Sequence, residues 1–324
     1  MMSNFNVLHH SPKIVLLSRS SKQFLSTFTG LFLLSVIFSF LSPYFFSVNN
    51  ILTVATQTAV IAIIAIGQTY VMITGGIDLS IGSNIAFSGM ISAIAMQHGI
   101  PIYLSILAGL LSGSFVGFIN GLLVVYGKLP PFIVTLGTMT AVRGISLTLT
   151  QGIPISGLPK GFTIYGSGNT FGIPNPVMIM IILVIIFGFV LAKTKLGRYI
   201  YALGSNYEAT RLSGINTRKV LISVYTFSGL LAAFAGLIMA ARIISAQPAA
   251  GDGYELDAVA SSVIGGTSTL GGEGTIAGTF IGAFVIGILR NGLNLVGVSP
   301  FIQKIVIGIV IVSAVWLDRA RRKD

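Results

Sequence analysis

Eight carboxylates in 324 residues leave little for acid–base or metal chemistry, and seven of them fall in segments that read as loops or helix ends. The eighth, Asp78, stands in Thr74-Gly75-Gly76-Ile77-Asp78-Leu79-Ser80-Ile81-Gly82-Ser83, where glycines flank an acid inside a long apolar run. An acid there can cap a helix beginning near Leu79 by accepting backbone amides. The rival role is contact with a substrate or a gate, and the cap is the leading reading. Gly75 and Gly76 let the backbone turn, which lipid tolerates only where the chain lines a cavity or is buried in protein. The segment therefore reads as a broken helix. Gln57, Gln68, Asn84 and Asn120 add uncharged donors and acceptors within apolar stretches. Such groups suit a hydroxylated solute and serve equally as bonds between helices; the sequence leaves both open.

Other chemistries lack their residues. There is no cysteine, hence no disulfide, thiolate metal site or thiol nucleophile. The three histidines are His9 and His10 near the N-terminus and His98 beside a turn, a poor set for a metal. A phosphate loop needs Gly-x-x-x-x-Gly-Lys-Ser/Thr, but Gly127-Lys128 is followed by Leu129 and position 122 is Leu. The Gly-rich stretch 265–279 carries no lysine and reads as a packed turn between two short spans. Arg143, inside an apolar stretch, is read as snorkelling to an interface. No catalytic residue, metal or cofactor is expected.

The elements that carry these residues must lie in a membrane. Hydrophobic residues make up 53% of the chain and charged ones 8%, with mean hydropathy +0.91; soluble domains carry about 25% charge. No charge occurs in the 55 residues between Lys22 and Asp78 or in the 49 between Asp78 and Lys128. A bilayer core of about 30 Å takes about 20 apolar residues per helix, so each window holds two spans. The 39 glycines fit close helix packing in lipid.

The expected fold is an all-α polytopic membrane protein of about ten spans, some broken by Gly-rich segments, with both termini cytoplasmic. A tail (1–23) precedes a transmembrane domain (24–317) and a short tail (318–324). The spans begin near 24, 51, 79, 102, 131, 176, 220, 258, 275 and 300. The Gly-, Pro-, Ser- and Asn-rich segment 151–175 is an external loop, and the charged segment 193–219 a cytoplasmic one. Fourteen of the 19 basic residues then fall in four cytoplasmic segments, as the positive-inside rule asks. That rule also accounts for the net charge of +11 without nucleic acid.

The segment 193–219 carries the sharpest motif. Leu196 to Asn216 reads as a short helix between glycine breaks, with charged and apolar residues mixed, as an interfacial or docking helix would be. Its pattern Glu208-Ala209, then Thr210-Arg211-Leu212-Ser213, then Gly214-Ile215-Asn216 resembles the coupling-loop motif of ABC importer permeases. With Gly75–Ser83 and Ser245-Ala246-Gln247-Pro248…Gly253-Tyr254-Glu255-Leu256-Asp257-Ala258, the chain resembles the monosaccharide branch of that family. Leu196–Asn216, Tyr254–Asp257 and Asn291–Val298 are most similar to its ribose permeases.

The resemblance implies a bacterial inner-membrane homodimer, a cytosolic ATPase partner, a periplasmic sugar-binding protein and a solute path at the dimer axis. Glu208, Ala209, Arg211, Gly214 and Ile215 would meet the ATPase. The sugar is ribose by resemblance alone; xylose, galactose, arabinose or a furanosyl signalling molecule stay open. The alternative is a cation-coupled sugar carrier, which calls for intramembrane carboxylates. A membrane-embedded enzyme or a channel would need a nucleophile, acid–base pair or charge ring in the spans.

Reporters fused after Ala192 and at Asp324 should both be cytosolic, and one within 151–175 external. An external signal from 193–219 would overturn the ten-span reading.

Overall fold

The computed structural model describes the backbone of residues 12–321 and the side chains of residues 26–316. The tail 1–11, with His9 and His10, and residues 322–324 lie outside that range. Helices dominate: α1 (Pro12–Leu41), α2 (Val48–Ile73), α3 (Ile81–Gln97), α4 (Ile102–Val125), α5 (Pro131–Leu149), α6 (Lys160–Ser167), α7 (Asn175–Lys193), α8 (Lys195–Ser205), α9 (Tyr207–Leu212), α10 (Thr217–Ile243), α11 (Tyr254–Ile264), α12 (Ile276–Leu295) and α13 (Pro300–Arg321). Four two-residue strands complete the fold: β1 (Ile155–Ser156), β2 (Asn169–Thr170), β3 (Ile173–Pro174) and β4 (Ser245–Ala246).

Among the described residues six helices are long and apolar enough to cross a bilayer: α2, α4, α5, α7, α10 and α12. Shorter apolar stretches lie in α1 and α13. The architecture is thus a helical membrane bundle. α2 is its axis. Ser47 starts it, its Oγ accepting from Asn50 N, and Gly75 at φ +84° ends it in a conformation that suits glycine. Residues 58–73 are buried without a gap, enclosed by α7, α10, α11 and α12. Its apolar run therefore faces protein all round rather than lipid.

Glycine spacing sets the tightest packing. Gly109, Gly113, Gly117 and Gly121 recur every fourth residue and so line one face of α4. That face lies on α10 and α3. A Cβ at Gly113 would stand 2.6 Å from Ala233 Cβ, and one at Gly117 would overlap the Tyr225 carbonyl oxygen.

Two helix pairs are joined by non-helical chain that enters the bundle. Residues 74–80 leave the end of α2 and reach Ser228, the twelfth residue of α10, about 16 Å along it. Residues 244–253 leave the other end of α10 and return to Gly82 at the start of α3. One order thus occurs twice: a long helix, a break, a short helix, then two more helices. It runs α2–α3–α4–α5 and again α10–α11–α12–α13.

Several boundaries differ from expectation. The helix after residue 253 is 11 residues long, about 16 Å, and ends at Ile264 rather than Leu270; the stretch 265–275 stays non-helical because its glycines hold positive φ at 266, 271, 272 and 274. α1 begins at Pro12, inside the expected tail. The segment 151–175 is ordered: β1 pairs antiparallel with β4, α6 packs on α10, and β2 and β3 form a hairpin. The single helix read in 193–219 is two, α8 and α9, divided at Asn206.

Replacing Gly117 by Leu should force α4 from α10. We expect a fall of tenfold or more in folded, detergent-extractable protein, about the loss that overpacking by 1–3 kcal/mol brings, against little change for Gly308→Leu on α13, where an added Cβ meets nothing within 4 Å. Equal yields for both would contradict the packing.

Candidate functional site

Asp78 is fully buried and three donors converge on it. Its Oδ1 accepts from Ser80 N at 2.9 Å and Ser80 Oγ at 2.6 Å, and its Oδ2 accepts from Ser228 Oγ at 2.8 Å. Asn120 Nδ2 donates to Ser80 Oγ at 2.8 Å, and Asp78 N donates to Gln68 Oε1 at 3.3 Å. Thr135 Oγ1 donates to the Ile77 carbonyl at 3.0 Å. The break 74–80 is thereby fastened to α2, α4, α5 and α10 together.

Asp78 does not cap α3 from the position expected. The helix begins at Ile81 and its N-cap residue is Ser80, which makes no side-chain cap bond. Asp78 instead closes a turn onto Ser80, two residues on, as short acidic side chains do. Asn84 fastens the next turn, donating through Nδ2 to Gly113 O at 3.1 Å and Gly229 O at 3.2 Å. Bare glycine faces leave those carbonyls open to a second donor.

Gln68, Asp78, Asn84 and Asn120 are thus brought together, each with no exposed surface. Gly76 joins them, buried against Tyr225 and Pro131. Gly75 is exposed at the end of α2, and Gln57 is half-buried, about three turns from Gln68 on α2 and apart from the group. Gln68 Nε2, Asn120 Oδ1 and Tyr225 Oη are buried without a hydrogen-bond partner among the described residues, so the node keeps capacity for further bonds.

The second break meets the first. Gly251 lies against Gly82, where a Cβ would overlap the Glu255 carboxylate. Arg143 does not snorkel: its Nη1 donates to Pro248 O at 2.9 Å and Ala250 O at 2.7 Å, pinning 247–250 to α5. Asp257, read as a loop-edge acid, is fully buried in the first turn of α11 and paired with Arg290 Nη2 at 2.6 Å. The Arg290 guanidinium also lies over the Tyr254 ring at 5.6 Å. Sequence reasoning missed this pair because its members lie 33 positions apart. The visible signal was Arg290 within an apolar stretch, which needed an acid.

The docking candidates sit at the opposite end from β1 and β4. Asn206 caps α9, its Oδ1 accepting from Ala209 N at 2.9 Å. Glu208 pairs with Arg211 at 2.9 Å, both exposed, which contributes little to stability. Ala209, Leu212 and Gly214 are also exposed, Ile215 is half-buried, and Gly214 holds φ +80°. α8 buries Gly197, Ile200 and Leu203 and ties α9 inward: Tyr201 Oη donates to Gly274 O at 2.6 Å, and nearby Gly272 N donates to Ile73 O at 2.8 Å.

With this geometry the chain can be set beside known proteins. The family described as branched-chain amino acid transport system / permease component matches residues 50–315. The ribose import permease protein of Bacillus subtilis is 48% identical over 92% of this chain and 94% of its own. That of Escherichia coli K12 is 46% identical over 90% and 92%. The D-allose transport system permease protein of Escherichia coli is 40% identical over 90% of each. No solved structure matches the chain.

Asp78→Asn keeps one acceptor for Ser80 and can hydrogen-bond Ser228, whereas Asp78→Ala leaves the donors of Ser80 and Ser228 unmet. We expect the Asn variant to keep most inserted protein and transport, and the Ala variant to lose both together, at about 1–3 kcal/mol per unmet group. Membrane-inserted protein measured beside labelled-sugar uptake checks this. A fully inserted, transport-dead Asn variant would assign Asp78 to gating or solute contact.

Proposed function

The chain belongs to the permease family of branched-chain amino acid transport systems, and from that premise we propose that it carries ribose across the bacterial inner membrane. It is a transport subunit of an ATP-binding-cassette sugar importer, with ATP hydrolysis on a separate polypeptide. One observation carries the sugar: 48% identity over 92% of the chain to a ribose import permease, against 40% for the allose permease. A cytosolic ATPase and a substrate-binding protein are its partners.

The twice-occurring four-helix order supports ten spans. α1 precedes the first set and α7 the second, so each half has five, and an odd number inverts the second half against the first. Both termini then share the side of α8 and α9, where six basic residues lie between 193 and 219. α9 presents Glu208, Ala209 and Arg211 for the ATPase.

A homodimer fits α5, which is the most exposed of the long apolar helices. Its open face carries Gly137, Thr140, Gly144 and Thr148, all exposed and close to one line. A second copy on that face would enclose small and hydroxylated groups suited to passing a sugar. Gln68, Asp78, Asn84 and Asn120 lie inside the protomer, so in this reading they position the breaks that flank the path.

Cells lacking their own ribose permease should regain ribose uptake with this chain, its ATPase and its binding protein. Uptake should survive a proton uncoupler while ATP is maintained, and preference for allose or xylose would reassign the sugar. Glu208→Lys, or Gly214→Leu at its positive φ, should leave insertion intact and cut both ATPase retention and uptake at least tenfold. Normal assembly and transport by the double variant would remove α9 from the docking surface.

A further inference from the structure

The flank away from α5 holds a feature that sugar transport leaves unused. A cavity of about 260 Å³ opens between the start of α2, the end of α6, the β2–β3 hairpin and the end of α10. Leu52, Thr53, Thr56, Ser167, Asn169, Pro174 and Arg242 are among its lining. Arg242 is the one charge there and joins no ion pair among the described residues.

The hydrogen-bonding sense of the lining is specific. Thr53, Thr56 and Ser167 give their hydroxyl hydrogens to helix carbonyls, at 2.8, 2.7 and 3.0 Å. Their oxygens are left as acceptors. Arg242 and Asn169 supply donors. A ligand here is thus an anion that also carries donors of its own.

The surroundings choose its source. α7 runs on from Pro174, and from Ile181, about 10 Å beyond it, Ile181, Ile182, Ile185, Ile186 and Phe189 form an exposed apolar face. At the hairpin tip Phe171 is 95% exposed and holds φ +54°, unusual for a bulky residue. A ring almost wholly exposed, in a disfavoured conformation, suits contact with lipid more than with water.

The geometry points to a phospholipid headgroup site in which Arg242 takes the phosphodiester and Thr53, Thr56 and Ser167 accept from the headgroup's ammonium or glycerol hydroxyls. The acyl chains lie along α7. This rests on the chain spanning a bilayer, as read above, and on neither the sugar nor the ATPase.

The test is native mass spectrometry of the full chain in mild detergent, titrated with phosphatidylglycerol and with phosphatidylethanolamine. The unaltered chain should retain a lipid that Arg242→Gln loses by about tenfold, the scale of a charge-assisted contact. Arg242→Lys should retain most of it, and Lys160→Gln, on the same segment outside the cavity, all of it. Equal losses for Lys160→Gln and Arg242→Gln would mean unspecific charge attraction and overturn the site. Displacement of the lipid by millimolar inorganic phosphate would make it a free-anion site and overturn the lipid assignment. Unchanged lipid in Arg242→Gln, with loss of ATPase stimulation by the sugar-binding protein, would make the cavity a protein-docking surface instead. If the chain carried another solute the lipid result would stand, so the two readings fail separately.

Discussion

A peptide group in hydrocarbon has no water to bond, so wherever this chain leaves the helix inside the bundle its donors and acceptors must be met by protein. The seven residues from 74 to 80 are the clearest case. Gln68 takes the amide of Asp78, Thr135 takes the carbonyl of Ile77, and Asp78 takes the amide of Ser80. The carboxylate is itself held by hydroxyls, and one of these, on Ser80, is held by Asn120. The arrangement requires α2, α4, α5 and α10 in register around one acid. The glycine faces of α4 and α10 are what let the helices come close enough to provide it.

The two buried acids are handled in opposite ways. Asp257 has a cation, Arg290, at 2.6 Å, whereas Asp78 has only neutral donors. Burying an ion pair demands good geometry, and breaking it by removing one partner costs about 3–5 kcal/mol. Each acid lies beside the start of a short helix and binds a longer neighbour, Asp78 through Ser228 of α10 and Asp257 through Arg290 of α12. A carrier driven by protons or sodium needs carboxylates that exchange their partner during the cycle. Here each acid has partners within its own chain, Ser80 and Ser228 for one and Arg290 for the other, and the ATP-driven family to which the relatives belong needs no such exchange.

Composition and charge spacing made the membrane class and most long helices legible, because those are one-dimensional properties. Asp78 was legible as a break because glycines flank it. Its true partners, Ser80 and Ser228, were not, since serine in an apolar run is common and Ser228 lies 150 residues away. The break at 244–253 was hidden for another reason. Gln247, Pro248, Gly251 and Asp252 look like an ordinary surface loop, and it is the fit of Gly251 against Gly82 and the Arg143 bonds to Pro248 and Ala250 that hold the loop inward. Positions 265–279 were legible as a turn and nothing more, since glycine there fixes backbone shape without naming its neighbours. The helix pair α8–α9 was read as one because the divide at Asn206 is a cap, visible only when its Oδ1 meets Ala209 N.

The breaks and the proposed docking surface are joined through few atoms. α8 carries α9 at one end, and its Gly204 packs so closely on the Ile73 carbonyl that no side chain fits between. The same carbonyl accepts from Gly272 N, and Tyr201 reaches Gly274 in the same loop. Ile73 is the last residue of α2, immediately before the segment that leads to Asp78. Displacing α8 must therefore carry the α11–α12 loop with it or break the Tyr201–Gly274 bond, and that loop is tied in turn to the end of α2 through Gly272 N. Carrying them is the cheaper course, because a buried partner left unmet costs more than a rigid shift of packed helices. In the coupling role proposed for α9, a push on it would be delivered where the helices are already interrupted, and the interruptions can bend without unwinding a turn.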